Sequence, residues 1–436
     1  MALNTRPDPP DPRETATRQA TAAPTASTPE APATAATSTT GTATRPRPRP
    51  ATVGDRIPLL DVLRGAAVLG TLMTNVWIFT SPGSEWSVLQ GRLDLPDPVA
   101  EPGPATIAEF VFRFLADGKF LSLLTILFGV GLAIQFDSAA RRGQPWPGRY
   151  PRRAAFLFLE GTVHFLLVFA WDVLMGYAVT ALLVAWLLAR SERVRRAALW
   201  TAASVHLALV GLVTLGDLVG PDDGSGVPDP DAVRLYADGS WAAQILFRLD
   251  HALVLRIEPV FSFGLLVFLF LLGVRLHRAG AFAPTGAGRR IRARMAGWGL
   301  GVGLPLGTAA ALGGSDFFVL GRYVVAPLVA VGYIGLIGWA LDRHLLPGAA
   351  ALGNVGRTAL SAYVGQNLLC VLLCYGVGLG LTERFAGSGP WWVMGLWAAV
   401  SLALAAGSWL WLRRFDRGPL ESVQHWALTP RRAARR

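Results

Sequence analysis

Stretches rich in apolar residues alternate with short polar segments along most of the chain. They run over Leu59–Thr80, Ile107–Phe136, Ala154–Ala170, Asp172–Ala189, Ala197–Val219, Glu258–Val274, Met295–Leu312, Phe317–Leu341, Thr358–Leu381 and Trp391–Leu412. A helix that crosses a bilayer needs roughly 20 mostly apolar residues. The pattern therefore predicts an all-α fold, a polytopic transmembrane bundle of about ten helices within residues 57–420. Residues 1–56 are rich in Thr, Ala and Pro with no apolar period, which predicts a disordered tail. No apolar core follows the start, so this segment does not read as a signal peptide. A polar, Asp-rich insert near residues 220–255 interrupts the spans. Its later part, from Trp241, has the pattern of an amphipathic helix lying at the interface.

Charge fixes an orientation. Arginines crowd the N-terminal tail, the even-numbered loops and the C-terminus, while the odd-numbered loops are acidic or short. Positive loops stay on the cytoplasmic side, so both termini are expected in the cytoplasm, the insert outside, and residues 421–436 form a basic cytoplasmic tail. Composition agrees: of 436 residues 52% are hydrophobic and only 16% charged, too apolar for a soluble protein of this length. The net charge of +11 comes almost wholly from arginine, with Lys119 the only lysine. Because those arginines sit between apolar spans, they read as cytoplasmic loops rather than a nucleic-acid surface. Cys370 and Cys374, the only cysteines, fall inside one span and suggest neither a disulfide framework nor a metal site.

Polar groups inside the spans mark the candidate chemistry, since bare polar side chains in hydrocarbon are costly. On the first span Asp61, Arg64, Val68, Thr71 and Asn75 recur every three or four residues and share one helix face. Asp61 and Arg64 read either as a local ion pair or as an anion site for a phosphate or thioester carrier. Asn75 lies about 16 Å further along, as an interhelical hydrogen-bonding group or a cavity-lining one. On the second span Arg113 and Asp117 are spaced as an i, i+4 pair, with Lys119 close by. Glu160 and His164 share a face of the third span, and Asp172 follows a short turn. His164 reads as a general base with Glu160 the nearer orienting carboxylate and Asp172 the second, or else as a core histidine with Asp172 as a helix cap. Tyr363, Gln366 and Asn367 form a polar patch on the ninth span. No P-loop, zinc motif, nucleophile elbow or dinucleotide fingerprint is present.

Five stretches together resemble the YeiB-like family, a bacterial domain of unknown function (domain 418). They are LDVLRGAAVLGTLMTNV at 60–76, DGKFLSLLTILFGVGLAIQ at 117–135, EGTVHFLLVFAWDVLMGYA at 160–178, GRTALSAYVGQNLLC at 356–370 and FDRGPLE at 415–421. That family is grouped with membrane acyltransferases of the acyltransferase-3 and heparan glucosaminide acetyltransferase types. The resemblance implies a multi-pass protein of the bacterial cytoplasmic membrane. It implies acyl transfer from cytoplasmic acyl-CoA, as co-substrate, to a small-molecule or glycan acceptor met on the outer side, with no metal. The Arg64–Gly65 step matches the active-site helix of those relatives. Where acyltransferase-3 proteins place a histidine near the outer end of that helix, this chain has Asn75, so His164 takes the place of the base in this reading. Members of the YeiB-like family have also been labelled possible transporters, and a permease-like membrane protein is the competing class.

Overall fold

The structure, a computed structural model, describes residues 57–91, 95–220 and 227–429. The segment expected to be a disordered tail, 1–56, and the last residues of the basic tail lie outside these. Among the described residues every regular element is helical and no strand occurs. The chain begins with α1 (Pro58–Thr80), α2 (Pro104–Ala116), α3 (Lys119–Arg141), α4 (Tyr150–Leu167), α5 (Leu174–Leu188) and α6 (Glu192–Val219). Four short helices form the insert, α7 (Pro230–Ala237), α8 (Trp241–Asp250), α9 (Ala252–Leu255) and α10 (Ile257–Phe261). The bundle resumes with α11 (Phe263–Arg278), α12 (Gly286–Leu312), α13 (Phe318–Leu320), a π-helical turn at Gly321–Val325, and α14 (Ala326–Asp342). It ends with α15 (Ala349–Arg357), α16 (Ala359–Cys374), α17 (Leu381–Arg384), α18 (Pro390–Leu412) and α19 (Pro419–Leu428). Prolines in the first turn start α1, α2, α18 and α19, where the missing N–H has no helical partner to lose. Ser191 and Ser240 cap α6 and α8 through their hydroxyls.

Six helical segments are long and apolar enough to cross a membrane: Pro58–Thr80, Pro104–Arg141, Glu192–Val219, Gly286–Leu312, Ser315–Asp342 and Pro390–Leu412. Leu174–Leu188 and Ala359–Cys374 are shorter apolar helices. Only 17% of the apolar window of α6 is buried in the protein, and its Leu212, Leu215 and Val219 point outward. A face of that kind is stable in lipid and unstable in water, which marks a membrane protein.

Four expected spans are subdivided, the sixth at Ser262 between α10 and α11. The second is broken between α2 and α3, where Gly118 takes a left-handed backbone (φ 69°) against the Arg322 carbonyl. The eighth contains the π turn that carries Arg322. The ninth ends as a helix at Cys374, and Thr358 separates its start from α15. At the centre, α1 packs on α15, α3 and α16, while α11 packs on α3 and α6. A Cβ at Gly65 would overlap the Leu352 carbonyl, and one at Gly356 would overlap that of Asp61. Thus the glycine beside Arg64 admits the backbone of α15, not a ligand.

The insert is fastened to the adjoining helix ends by a fully buried ion pair. Glu85, in the 3₁₀ turn Ser84–Val88, accepts from Arg248 Nε at 2.9 Å and a terminal nitrogen at 3.1 Å. It also accepts from the Tyr236 hydroxyl at 2.7 Å and the Ala170 N–H at 2.9 Å. Arg248 donates further to the Leu166 and Val168 carbonyls. Burial, reinforced by the neighbouring Glu85 carboxylate, raises the pKa of the Tyr236 hydroxyl well above its usual value, which keeps it a donor. The lock therefore grips the turn joining α4 to α5, the segment on which the candidate site depends.

Candidate functional site

His164 lies one turn before the end of α4, and its ring is 2% exposed. Its Nδ1 lies 3.0 Å from Asp172 Oδ1. The turn after α4 folds Asp172 back onto the ring, and the same carboxylate caps α5. Asp172 Oδ2 accepts from the Leu174 N–H at 2.9 Å and the Met175 N–H at 3.3 Å. Capping and ring contact thus occur in one residue, on different oxygens. A carboxylate only accepts, so Nδ1 carries the proton and Nε2 presents its lone pair. The Asn367 amide nitrogen, 3.2 Å from Nε2, donates to it. The Asn367 carbonyl oxygen in turn accepts from Asn75 at 3.4 Å. Tyr363 sits with its ring centroid 5.4 Å from that of His164 and its hydroxyl 3.4 Å from Asp172 Oδ1. Five residues from α1, α4, the α4–α5 turn and α16 thus join in one buried chain, Asn75–Asn367–His164–Asp172–Tyr363.

Two expectations need correction. Glu160 does not orient the ring: its carboxylate oxygens are buried and have no hydrogen-bond partner among the described residues. Asp172, ranked second by sequence proximity, holds that position. Nor do Arg113 and Asp117 pair with each other. Arg113 binds Glu109 at 2.9 Å and lies over the Trp77 ring, whereas Asp117, at the break between α2 and α3, binds Arg322. Lys119 donates to the Asp117 carbonyl at 3.2 Å and lies 4.6 Å from the centre of the Phe114 ring. Asp61 and Arg64 form the local pair at 3.2 Å. Gln366 is fully buried, with neither amide atom partnered among the described residues.

Two large cavities and a small one lie within the bundle. A cavity of about 310 Å³ is lined by Arg64, Gln135, Tyr150, Arg153, Arg357 and Tyr363, among others. A second, of about 530 Å³, is lined by Arg113, Asp117, Trp171, Glu258, Arg322 and Tyr323. A space of about 40 Å³ touches Asp172 and Arg256 and shares Trp171, Glu258, Arg322 and Tyr323 with the second cavity. Of the polar chain, Tyr363 lines the first cavity and Asp172 the small space, and none of its five residues lines the second cavity. His164 itself lines none of these three cavities.

Arg256, Glu258 and Arg322 are site residues that the sequence reading did not select. Arg256 donates to the Asp172 carbonyl at 2.8 Å, and Arg322 bridges Asp117 and Glu258, the latter at 3.3 Å. Tyr323 donates to Glu258 at 2.7 Å. An arginine in the middle of the eighth apolar stretch was the available signal.

Residues 276–430 match the family model described as protein of unknown function (DUF418). This segment contains Arg322, Arg357, Tyr363, Gln366 and Asn367. The chain is also similar to the uncharacterized protein YxaH of Bacillus subtilis (strain 168), 25% identical over 389 residues, which are 86% of this chain and 94% of YxaH. Similarity to the uncharacterized protein YeiB of Escherichia coli (strain K12) is 28% identity over 394 residues, 84% of this chain and 94% of YeiB. These matches support the YeiB-like resemblance.

Proposed function

We propose that the chain is an integral membrane acyltransferase of the bacterial cytoplasmic membrane, with about ten spans and both termini in the cytoplasm. It moves an acyl group from cytoplasmic acyl-CoA to a small-molecule or glycan acceptor reached from the outer side. The observation that carries this reading is the buried Asp172–His164 pair, with its proton on Nδ1, linked to the 310 Å³ cavity through the Tyr363 hydroxyl. The acceptor's hydroxyl or amine attacks the thioester carbon while Nε2 takes its proton. The carbon–sulfur bond then breaks, and the imidazolium returns the proton to the departing thiolate. Asp172 stabilises the imidazolium and holds the tautomer. Asn367 occupies Nε2 at rest, so the acceptor must displace its amide before reacting. Arg64 at the donor cavity holds the acidic part of the donor, where Arg64→Lys loses the planar fork and weakens binding.

A second reading, a proton-coupled transporter, draws on Glu160, a carboxyl within the bundle with no hydrogen-bond partner among the described residues. One assay separates the two. Purified full-length protein in detergent should hydrolyse or transfer the acyl group of labelled acyl-CoA, and His164→Gln should lower the rate ~100- to 10,000-fold. A His164→Gln protein that transfers at the wild-type rate would leave His164 an interhelical hydrogen-bonding residue. Absence of any turnover with a panel of acyl-CoA donors would favour the transporter.

A further inference from the structure

The 310 Å³ cavity carries more positive charge than the role given to Arg64 explains. Arg153, on α4, and Arg357, at the end of α15, both line it, and neither makes a hydrogen bond or ion pair among the described residues. Arg153 stands close enough to Arg64 for the two to repel. Arg64 has a single bond to Asp61, and Asp61 does not line the cavity. The only carboxylate in the lining is Glu421 of α19. Its oxygens are taken by the Leu360 and Ser361 N–H groups and the Ser361 hydroxyl at the start of α16. Three guanidinium groups thus line a common space, and two of them, Arg153 and Arg357, have no anionic partner among the described residues. The lining also has an apolar part, Leu124, Leu127, Phe128 and Leu157, and includes Tyr363, whose hydroxyl meets Asp172.

Arginine-rich loops are ordinary at a membrane surface, where they set orientation. That explanation covers Arg141, Arg142, Arg149 and Arg152, which do not line the cavity, but not the convergence of Arg153 with residues on two other helices. We infer that Arg64, Arg153 and Arg357 form a binding site for an organic diphosphate whose uncharged arm runs along the apolar walls towards Tyr363. A carboxylate offers two acceptor oxygens, too few for three planar forks. A diphosphate offers enough oxygens, spread over two centres, for each fork to bind. The inference deepens the acyltransferase reading and rests on it only for the identity of the arm, a thioester-bearing one.

The test measures binding to purified full-length protein, without requiring turnover. Coenzyme A should bind, inorganic pyrophosphate should displace it, and phosphate-free pantetheine should not bind. Arg153→Gln and Arg357→Gln should each weaken coenzyme A binding about tenfold or more, with Arg153→Lys intermediate and Arg152→Gln unchanged. Because neither side chain has a partner to lose, the variants should remain monodisperse, and wild-type migration on size exclusion confirms it. Coenzyme A binding equal to wild type in both Gln variants, or pantetheine binding as tight as that of coenzyme A, would overturn the site. So would Arg153-dependent retention of phosphatidylglycerol in a protein that does not bind coenzyme A, since the ligand would then be a lipid phosphate. Binding that follows the arginines with no acyl transfer would uphold this site while the acyltransferase reading falls. Transfer that ignores both substitutions would do the reverse.

Discussion

Glu85→Gln isolates the contribution of the buried lock over the α4–α5 turn. The substitution keeps size and shape but removes the charge and turns one acceptor into a donor. Each Glu85 oxygen now accepts two bonds, Oε1 from Ala170 and Arg248, Oε2 from Tyr236 and Arg248. Whichever position becomes the amide nitrogen faces two donors, and Arg248 keeps its charge with no counter-ion in a site that is 0% exposed. Removing one partner of a buried pair costs about 3–5 kcal/mol, which corresponds to a fall of roughly 4–6 °C in the unfolding temperature. Heating the purified protein and following the monodisperse fraction by size exclusion measures it. Glu85→Gln combined with Arg248→Met removes the stranded charge and should be more stable than Glu85→Gln alone. A single variant that unfolds within about 2 °C of wild type, or a double variant whose losses simply add, would refute the reasoning.

Gly65→Ala places a methyl group against the Leu352 carbonyl. Because backbone rather than a flexible side chain blocks it, the loss should exceed the usual 1–3 kcal/mol of overpacking, read as disappearance of the folded peak in detergent. For the topology, reporter fusions after Gly83, Trp171 and Gly387 should report the outer side, and fusions after Gln144, Arg195, Gly286 and Ala350 the cytoplasm. Inverted signals at two or more sites would overturn the orientation.

Helical periodicity made the inward face of α1 readable, because residues three and four apart must share a face, and Asn75 does reach the site. It also placed His164 inside the bundle. Periodicity failed where a helix stops. Glu160 is one turn from His164 on the same face, yet its carboxylate does not meet the ring. Asp172 is eight residues away but is carried back by the turn and fixed there by the first N–H groups of α5. Arg113 had carboxylates four residues away on both sides. The left-handed Gly118 follows Asp117 at the end of α2, and of the two carboxylates Arg113 pairs with Glu109. Glu85 and Arg248 are 163 positions apart, and nothing local in either segment indicates that they meet. The arginines of the 310 Å³ cavity were visible as charges but not as a cluster, since α1, α4 and α15 converge only through tertiary packing.

The central claim, that His164 is a base whose tautomer is set by Asp172, is tested most directly by single-turnover acyl transfer in Asp172→Asn beside Glu160→Gln. Asparagine can still cap α5, so the turn should hold. Its amide offers a donor to Nδ1, which moves the ring proton to Nε2 and leaves no lone pair to receive the acceptor's proton. The account predicts a ~100- to 10,000-fold loss of rate for Asp172→Asn with binding of coenzyme A retained, and a rate near wild type for Glu160→Gln. Wild-type transfer by Asp172→Asn, or an equal loss in Glu160→Gln, would contradict it.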